Sequence, residues 1–175
     1  MAAALYRISA AQTRPLRSQL LRQGVPPDQL RLNGDDDADA LHIGAFLDGE
    51  QVGIATVLHQ PPASSVGCPP NYPNLQHAHA WRLRAMATTE SVRGMGVGRQ
   101  ILLAAIGYCA EQGGAFLWCD ARVSAVGFYE KLGFLTLGAE YHVPDVGAHY
   151  FMQRKIFHTD VNDADPLVWL ADLPR

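Results

Sequence analysis

Two apolar runs, Leu41 to Leu47 and Gln51 to His59, meet around Asp48-Gly49, a residue pair suited to a tight hairpin turn, and are predicted to form antiparallel strands. Further on, Trp81 to Thr88 reads as a strand. Gly98 to Gln112 then sets Ile101, Leu102, Ala105 and Cys109 along one helical face before Gly113-Gly114 stops it, and Ala115 to Ala121 reads as a second strand. Strand, helix and strand at this spacing predict a right-handed parallel crossover with its helix packed on the sheet. A shorter helix, Ser124 to Leu132, ends at Gly133 and is followed by strand-like runs at Phe134 to Tyr141 and His149 to Phe157. Near the N-terminus, Leu5 to Ile8 forms a short strand. A helix follows over Thr13 to Gln23, with Thr13 as its N-cap and Gly24 and Pro26-Pro27 ending it. Asn33 to Asp39 is acidic and poor in apolar residues, which predicts a solvated loop. Gln60 to His79 carries Pro61, Pro62, Pro69, Pro70 and Pro73 without apolar periodicity, so a long ordered loop is expected, of the kind that often borders a site.

Composition narrows the setting. A chain of 175 residues suits one compact core, here assigned to residues 1–157, with 158–175 left as a tail whose pattern assigns it no role. No internal repeat or linker divides it. Hydrophobic residues at 48% and charged residues at 18% are ordinary for a globular protein. No apolar run approaches the roughly 20 residues that span a bilayer, so neither a membrane span nor a membrane partner is expected. Met1 to Ile8 is too short for the apolar region of a secretory signal, which points to the cytoplasm. Cys68, Cys109 and Cys119 lack metal-ligand spacing, and the last two fall in a predicted buried helix and strand, which suits a reducing compartment. A formal charge of −3 and a pI near 6.1 argue against bulk binding of nucleic acid while allowing a local basic pocket for a phosphorylated small molecule.

The richest chemistry lies in Thr88-Thr89-Glu90-Ser91-Val92-Arg93-Gly94-Met95-Gly96-Val97-Gly98-Arg99, a glycine-spaced turn from strand to helix. Without β-carbons at Gly94, Gly96 and Gly98, backbone N–H groups can approach a phosphate closely. The helix N-terminus adds roughly half a positive charge, and Arg93 and Arg99 can supply charge-assisted hydrogen bonds. A dinucleotide fingerprint would need G-x-G-x-x-G, but counting from Gly94 the third position is Arg99 and from Gly96 it is Ile101; a P-loop would need Lys then Ser or Thr where Arg99-Gln100 stand. His77 and His79 lack a third and fourth ligand nearby, so no metal is expected.

Arg93-Gly94-Met95-Gly96-Val97-Gly98 fits a [Q/R]-x-x-G-x-[G/A] signature, and this stretch resembles the acetyl-CoA-binding core of the GCN5-related N-acetyltransferases, the GNAT family. Arg122-Val123-Ser124-Ala125-Val126-Gly127-Phe128-Tyr129-Glu130-Lys131-Leu132-Gly133-Phe134 looks like that family's later N-x-x-A-x-x-x-Y-x-k-x-G-F pattern, so the resemblance covers roughly residues 83 to 134. It implies a mixed α/β fold, with a central twisted, mostly antiparallel sheet whose strands at Trp81 to Thr88 and Ala115 to Ala121 run parallel and splay to admit the cofactor. It also implies direct transfer of acetyl from acetyl-CoA, as co-substrate, to a small-molecule or peptide amine, and it allows a homodimer. Position by position, Met86, Ala87 and Thr88 would hold the pantetheine arm. Arg93, Gly94, Met95, Gly96, Val97, Gly98 and Arg99 would hold the pyrophosphate, and Tyr129 would be the general acid that protonates the departing thiolate.

Two positions depart from the pattern. Arg122 stands where the family often has Asn, so an ionic contact with CoA phosphates would replace a hydrogen bond to the arm. Arg82 lies near the place where some members carry a glutamate base. Asp120, His149, His77 and His79 are the candidates for a base. A Cys119 relay lacks an activating neighbour, and a CoA-binding module without catalysis is the reading from another class. Arg82 and Arg84, two apart on a strand, share a face and would favour acidic or zwitterionic acceptors if that face opens into the cleft; otherwise they meet solvent or Asp35 to Asp37.

Overall fold

The computed structural model describes residues 2–72, 79–163 and 171–173. Seven strands form one sheet: β1 (Ala4–Arg7), β2 (Leu41–Leu47), β3 (Glu50–Leu58), β4 (Ala80–Thr88), β5 (Phe116–Arg122), β6 (Leu135–Val143) and β7 (Gly147–Lys155), in the spatial order β1-β2-β3-β4-β5-β7-β6. Every neighbouring pair is antiparallel except β4 and β5, which run parallel across helix α2 (Val97–Glu111) as the crossover pattern predicts. Asp48 and Gly49 both take positive φ, 51° and 83°, and close the β2–β3 hairpin.

The two sheet faces bury different chemistry. Leu41, Ile43, Ala45, Ala55, Val57, Leu83, Leu117 and Cys119 pack against Val97, Ile101, Leu102, Ala105 and Ile106 of α2 and form the main core. The opposite face meets α1 (Ala10–Leu16), where Ile8, Leu16 and Ile54 cluster, carries a second apolar cluster of Tyr72, Ala80, Trp118 and Phe151, and between the two is strongly polar. Arg17 is 2% exposed there and donates to Asp35 at 2.6 and 2.9 Å, to Thr56 Oγ1 at 2.8 Å and to the Leu30 carbonyl at 3.0 Å. His42 bridges Thr56 Oγ1 (2.9 Å) and the Asp35 carbonyl (2.8 Å).

Three expectations change here. The α1 cap is Ser9, joined to Gln12 in a capping box, while Thr13 lies inside the helix, buried, with its hydroxyl donated to the Ala10 carbonyl. The acidic stretch is not wholly solvated, because the charge of Arg17 draws Asp35 into the interior. Beyond Pro15, which cannot donate to the preceding turn, the helix widens into a π turn over Arg17–Leu21 that sets Arg17 against the sheet. From the tail, Ala171 to Leu173 lie along β1: Arg7 N–H donates to the Ala171 carbonyl and Leu173 N–H to the Arg7 carbonyl. Asp160, at the start of the short helix α4 (Asp160–Asp163), accepts two bonds from Arg154, both 2.9 Å.

Candidate active site

β4 and β5 are paired only at Ala80–Phe116, Trp81–Leu117 and Arg82–Trp118. Past Arg82 the strands separate, and among the described residues no strand partner faces β4 on that side. A bulge lies at the split. Ile54 opposes Ala87 and Thr56 opposes Arg84, so two steps along β3 match three along β4, and the extra residue, Ala85, takes φ 51°. A non-glycine residue in the left-handed region costs about 1–2 kcal/mol, and such strain often marks a functional segment. The bulge also resets which side chains share a face. Arg82, Arg84 and Ala87 lie on the α1 face with Thr56 and Ile54, while Met86 and Thr88 point to the α2 face.

On the α2 face, the wedge between the strands is closed by α3 (Val126–Glu130). Tyr129, 8% exposed, sits against Phe128 and Phe134, and its hydroxyl lies 3.9 Å from the Met86 sulfur. Burial pushes its phenol well above the ordinary value, with the neighbouring Cys119 adding to the effect, so the group holds its proton at neutral pH. Burial, with help from Asp120, likewise drives the Cys119 thiol far up, which removes the thiolate a covalent relay needs.

At the mouth of the wedge, Gly94 (φ 78°) and Gly96 (φ 83°) carry the chain from β4 into α2, and a β-carbon on either would meet nothing within 4 Å. Buried Val92 and Val97 anchor the turn from beneath, leaving Arg93 and Arg99 exposed beside it. Among the described residues no acceptor engages the N–H groups of Gly94, Gly96, Val97, Gly98 or Arg99. The last three are the ordinary free donors of a helix start; Gly96 extends their run by one, and Gly94 stands one residue further off because the Met95 N–H between them donates to the Val92 carbonyl. Gly98 lies against the Phe128 ring, where a β-carbon would make ordinary contact at 3.5 Å with two ring carbons.

A model of the acetyltransferase (GNAT) family matches residues 4–134 of this chain. The chain belongs to the GNAT family. A GNAT relative from Bacillus subtilis (strain 168), the uncharacterized N-acetyltransferase YitI, is 32% identical over 149 residues, 85% of this chain and 93% of its own. Among solved structures, Ard1 from Thermoplasma volcanium aligns with a TM-score of 0.67 at 18% identity, covering 90% of this chain and 99% of that one. The ribosomal-protein-S18-alanine N-acetyltransferase of Escherichia coli aligns at 0.62 and 16%, covering 88% and 94%. These two similarities establish the fold, and GNAT proteins use an acyl-CoA as co-substrate.

Within this GNAT fold the structure brings Met86 and Tyr129 together and sets Ala87 and Thr88 on the split portion of β4, with residues 93–99 at its end. Arg122 stands apart from the glycine turn in its bonding: it donates to the Leu21 carbonyl at 2.9 Å and ties the π turn to β5. Of the candidate bases, Asp120 accepts from Arg82 Nη2 (2.9 Å), Ser65 and Tyr141, which occupies its oxygens. His149 is buried, and its Nδ1 donates to the Gly147 carbonyl at 2.8 Å, which leaves Nε2 with the lone pair in the neutral ring. His79 is exposed, and His77 lies outside the described residues. No group of three or more metal-ligating side chains occurs among the described residues.

Sequence reasoning missed what holds the proline-rich loop. Gln60 accepts from Trp118 Nε1 through its carbonyl and from Arg82 through its side chain, Ser65 reaches Asp120, and Tyr72 reaches Gln153, so the loop is fastened across β4, β5 and β7 on the α1 face. The pairing of Arg82 with Asp120 was legible only as complementary charge, since 38 residues separate the two. No described helix is long and apolar enough to cross a membrane.

Proposed function

We propose that this protein transfers acetyl from acetyl-CoA directly to an amine. The observation that carries the reading is the single path from the glycine turn, with its five free N–H groups, along the unpaired edge of β4 to the Tyr129 hydroxyl. The pyrophosphate of CoA occupies the turn, and the pantetheine arm lies along Met86 to Thr88 as an added strand. The thioester then ends beside Tyr129. A backbone N–H of β4 polarises its carbonyl, and holding both reactants in one cleft supplies the proximity on which direct transfer depends.

The amine nitrogen attacks the carbonyl carbon and forms the C–N bond; the C–S bond breaks, and Tyr129, on the α2 face, gives its proton to the departing thiolate. On this reading the amine sits on the α1 face, the side of β4 that carries Arg82 and Arg84. Nε2 of His149, on that face and left with its lone pair by the Nδ1 bond to the Gly147 carbonyl, takes the ammonium proton. Thiol release from acetyl-CoA, measured over a panel of amines beside CoA binding, tests the reading: amine-dependent release supports it. Tight CoA binding with no release for any amine would make the protein a CoA-binding module, and stabilisation by NADH but not by CoA would overturn the cofactor.

A further inference from the structure

Three arginines and two aspartates meet on the α1 face at the split of the sheet. Arg17 is paired with Asp35 and Arg82 with Asp120, and Arg82 also lies 4.7 Å over the Trp118 ring. Both carboxylates are thereby engaged. Arg84, one strand repeat beyond Arg82, has no hydrogen bond or ion pair among the described residues, though it is largely covered. Burial lowers its affinity for its proton, followed by the like charges of Arg82 and Arg17, and Asp120 and Asp35 only partly oppose them; its pKa is pushed down to about 10. A guanidinium in that setting remains charged at neutral pH and repelled by its neighbours, with its nitrogens open to a partner from outside the chain.

Its position says what would satisfy it. Arg84 is the residue just before the Ala85 bulge, where β4 parts from β5, and it points to the face on which the reading above places the amine. We infer that Arg84 is the anchor for a carboxylate on the acceptor, so that the substrate is an amino acid or an amine with an equivalent acidic group. The inference rests on the acetyl-transfer reading above. A carboxylate accepts two parallel N–H bonds from the guanidinium fork, which would fix the amine's orientation toward the wedge as well as its affinity.

The test compares kcat/KM for a panel of amino acids with that for their decarboxylated amines, on wild type, Arg84→Gln and Arg84→Lys, with the CoA-induced thermal shift measured on each. Wild type should prefer the carboxylate-bearing partner by roughly ten- to a hundredfold, the range for losing a charged hydrogen-bond partner. Arg84→Gln should erase that preference through KM, leave the decarboxylated amine and the CoA shift unchanged, and be partly rescued in Arg84→Lys. A normal CoA shift with equal or better turnover of the decarboxylated amines would overturn the anchor alone, and this comparison needs no variant to fold. An Arg84→Gln protein with a weakened CoA shift would also overturn it, by assigning Arg84 to the cofactor. Absence of any CoA shift in wild type would instead bring down the transfer reading itself.

Discussion

Gly96→Glu separates binding from folding more cleanly than any other change at the site. Gly96 is the N-cap of α2, with φ 83°, and an added β-carbon there meets no atom within 4 Å. The fold therefore loses only the conformational cost of a non-glycine residue in the left-handed region, about 1–2 kcal/mol. A carboxylate beside the free N–H groups of a helix start returns about 0.3–1 kcal/mol of that. The net loss of about 1 kcal/mol lowers Tm by about 2–4 °C for a domain of this size. The same carboxylate occupies the place assigned to the pyrophosphate and repels it. At a CoA concentration of about 100 times Kd, wild type gains about 2.7 kcal/mol, hence roughly 5–11 °C. Thermal denaturation with and without CoA should show that shift in wild type and none in the variant. A folded Gly96→Glu protein that CoA stabilises as strongly as wild type would refute the placement of the phosphates at this turn.

Four further outcomes are expected. Tyr129→Phe keeps the ring packed on Phe128 and Phe134 and removes the proton donor; single-turnover rates should fall by about 10²- to 10⁴-fold with the CoA thermal shift intact, and an unchanged rate would reduce Tyr129 to packing. His149→Gln should lower turnover over a similar range, roughly 10²-fold or more, without weakening CoA binding. Asp35→Ala leaves Arg17 buried and unpaired and should cost about 3–5 kcal/mol in urea unfolding, with much of the loss recovered in Asp35→Leu combined with Arg17→Met. Burial holds the His42 imidazole below its ordinary 6.5, outweighing the Asp35 carbonyl and charge, so the unfolded chain takes up the proton first. Stability present above pH 6.5 should therefore decline as pH falls through the lower folded value, and urea midpoints at pH 7.5 and 5.5 should lie closer together in His42→Gln than in wild type.

What could be read in advance was local. The hairpin at Asp48-Gly49, the crossover from β4 through α2 to β5 and the glycine turn all depend on residues close in the chain, whose periodicity and lack of β-carbons are visible without coordinates. The α1 cap was misplaced because Ser9 and Thr13 are both good cap residues, and the capping box with Gln12 decides between them. The contact between Gly98 and the Phe128 ring, about thirty residues on, had no local signal. The bulge at Ala85 had no signal at all: alanine is an unusual choice for a positive φ, and only the registry of β3 against β4 reveals the extra residue. The burial of Asp35 was hidden for a related reason. Its neighbours Asp36 and Asp37 make an exposed acidic loop plausible, and the guanidinium that draws it inward comes from the π turn beyond Pro15.

The same network explains why Arg84 stays unpaired. An arginine with free carboxylates nearby would close onto one of them, and both aspartates lie close enough for their charge to raise its proton affinity. Asp35 gives both oxygens to Arg17 and accepts the Leu32 N–H as well, while Asp120 is held by Arg82, Ser65 and Tyr141 from three different segments. Drawing either one to Arg84 would strand another charge or hydroxyl in a covered site, at a cost of several kcal/mol. The two pairs thus do more than brace α1 and the proline-rich loop against the sheet. By saturating each carboxylate they keep one positive charge available where β4 leaves β5, and a carboxylate that arrives on a substrate can engage it without breaking any bond the protein already makes.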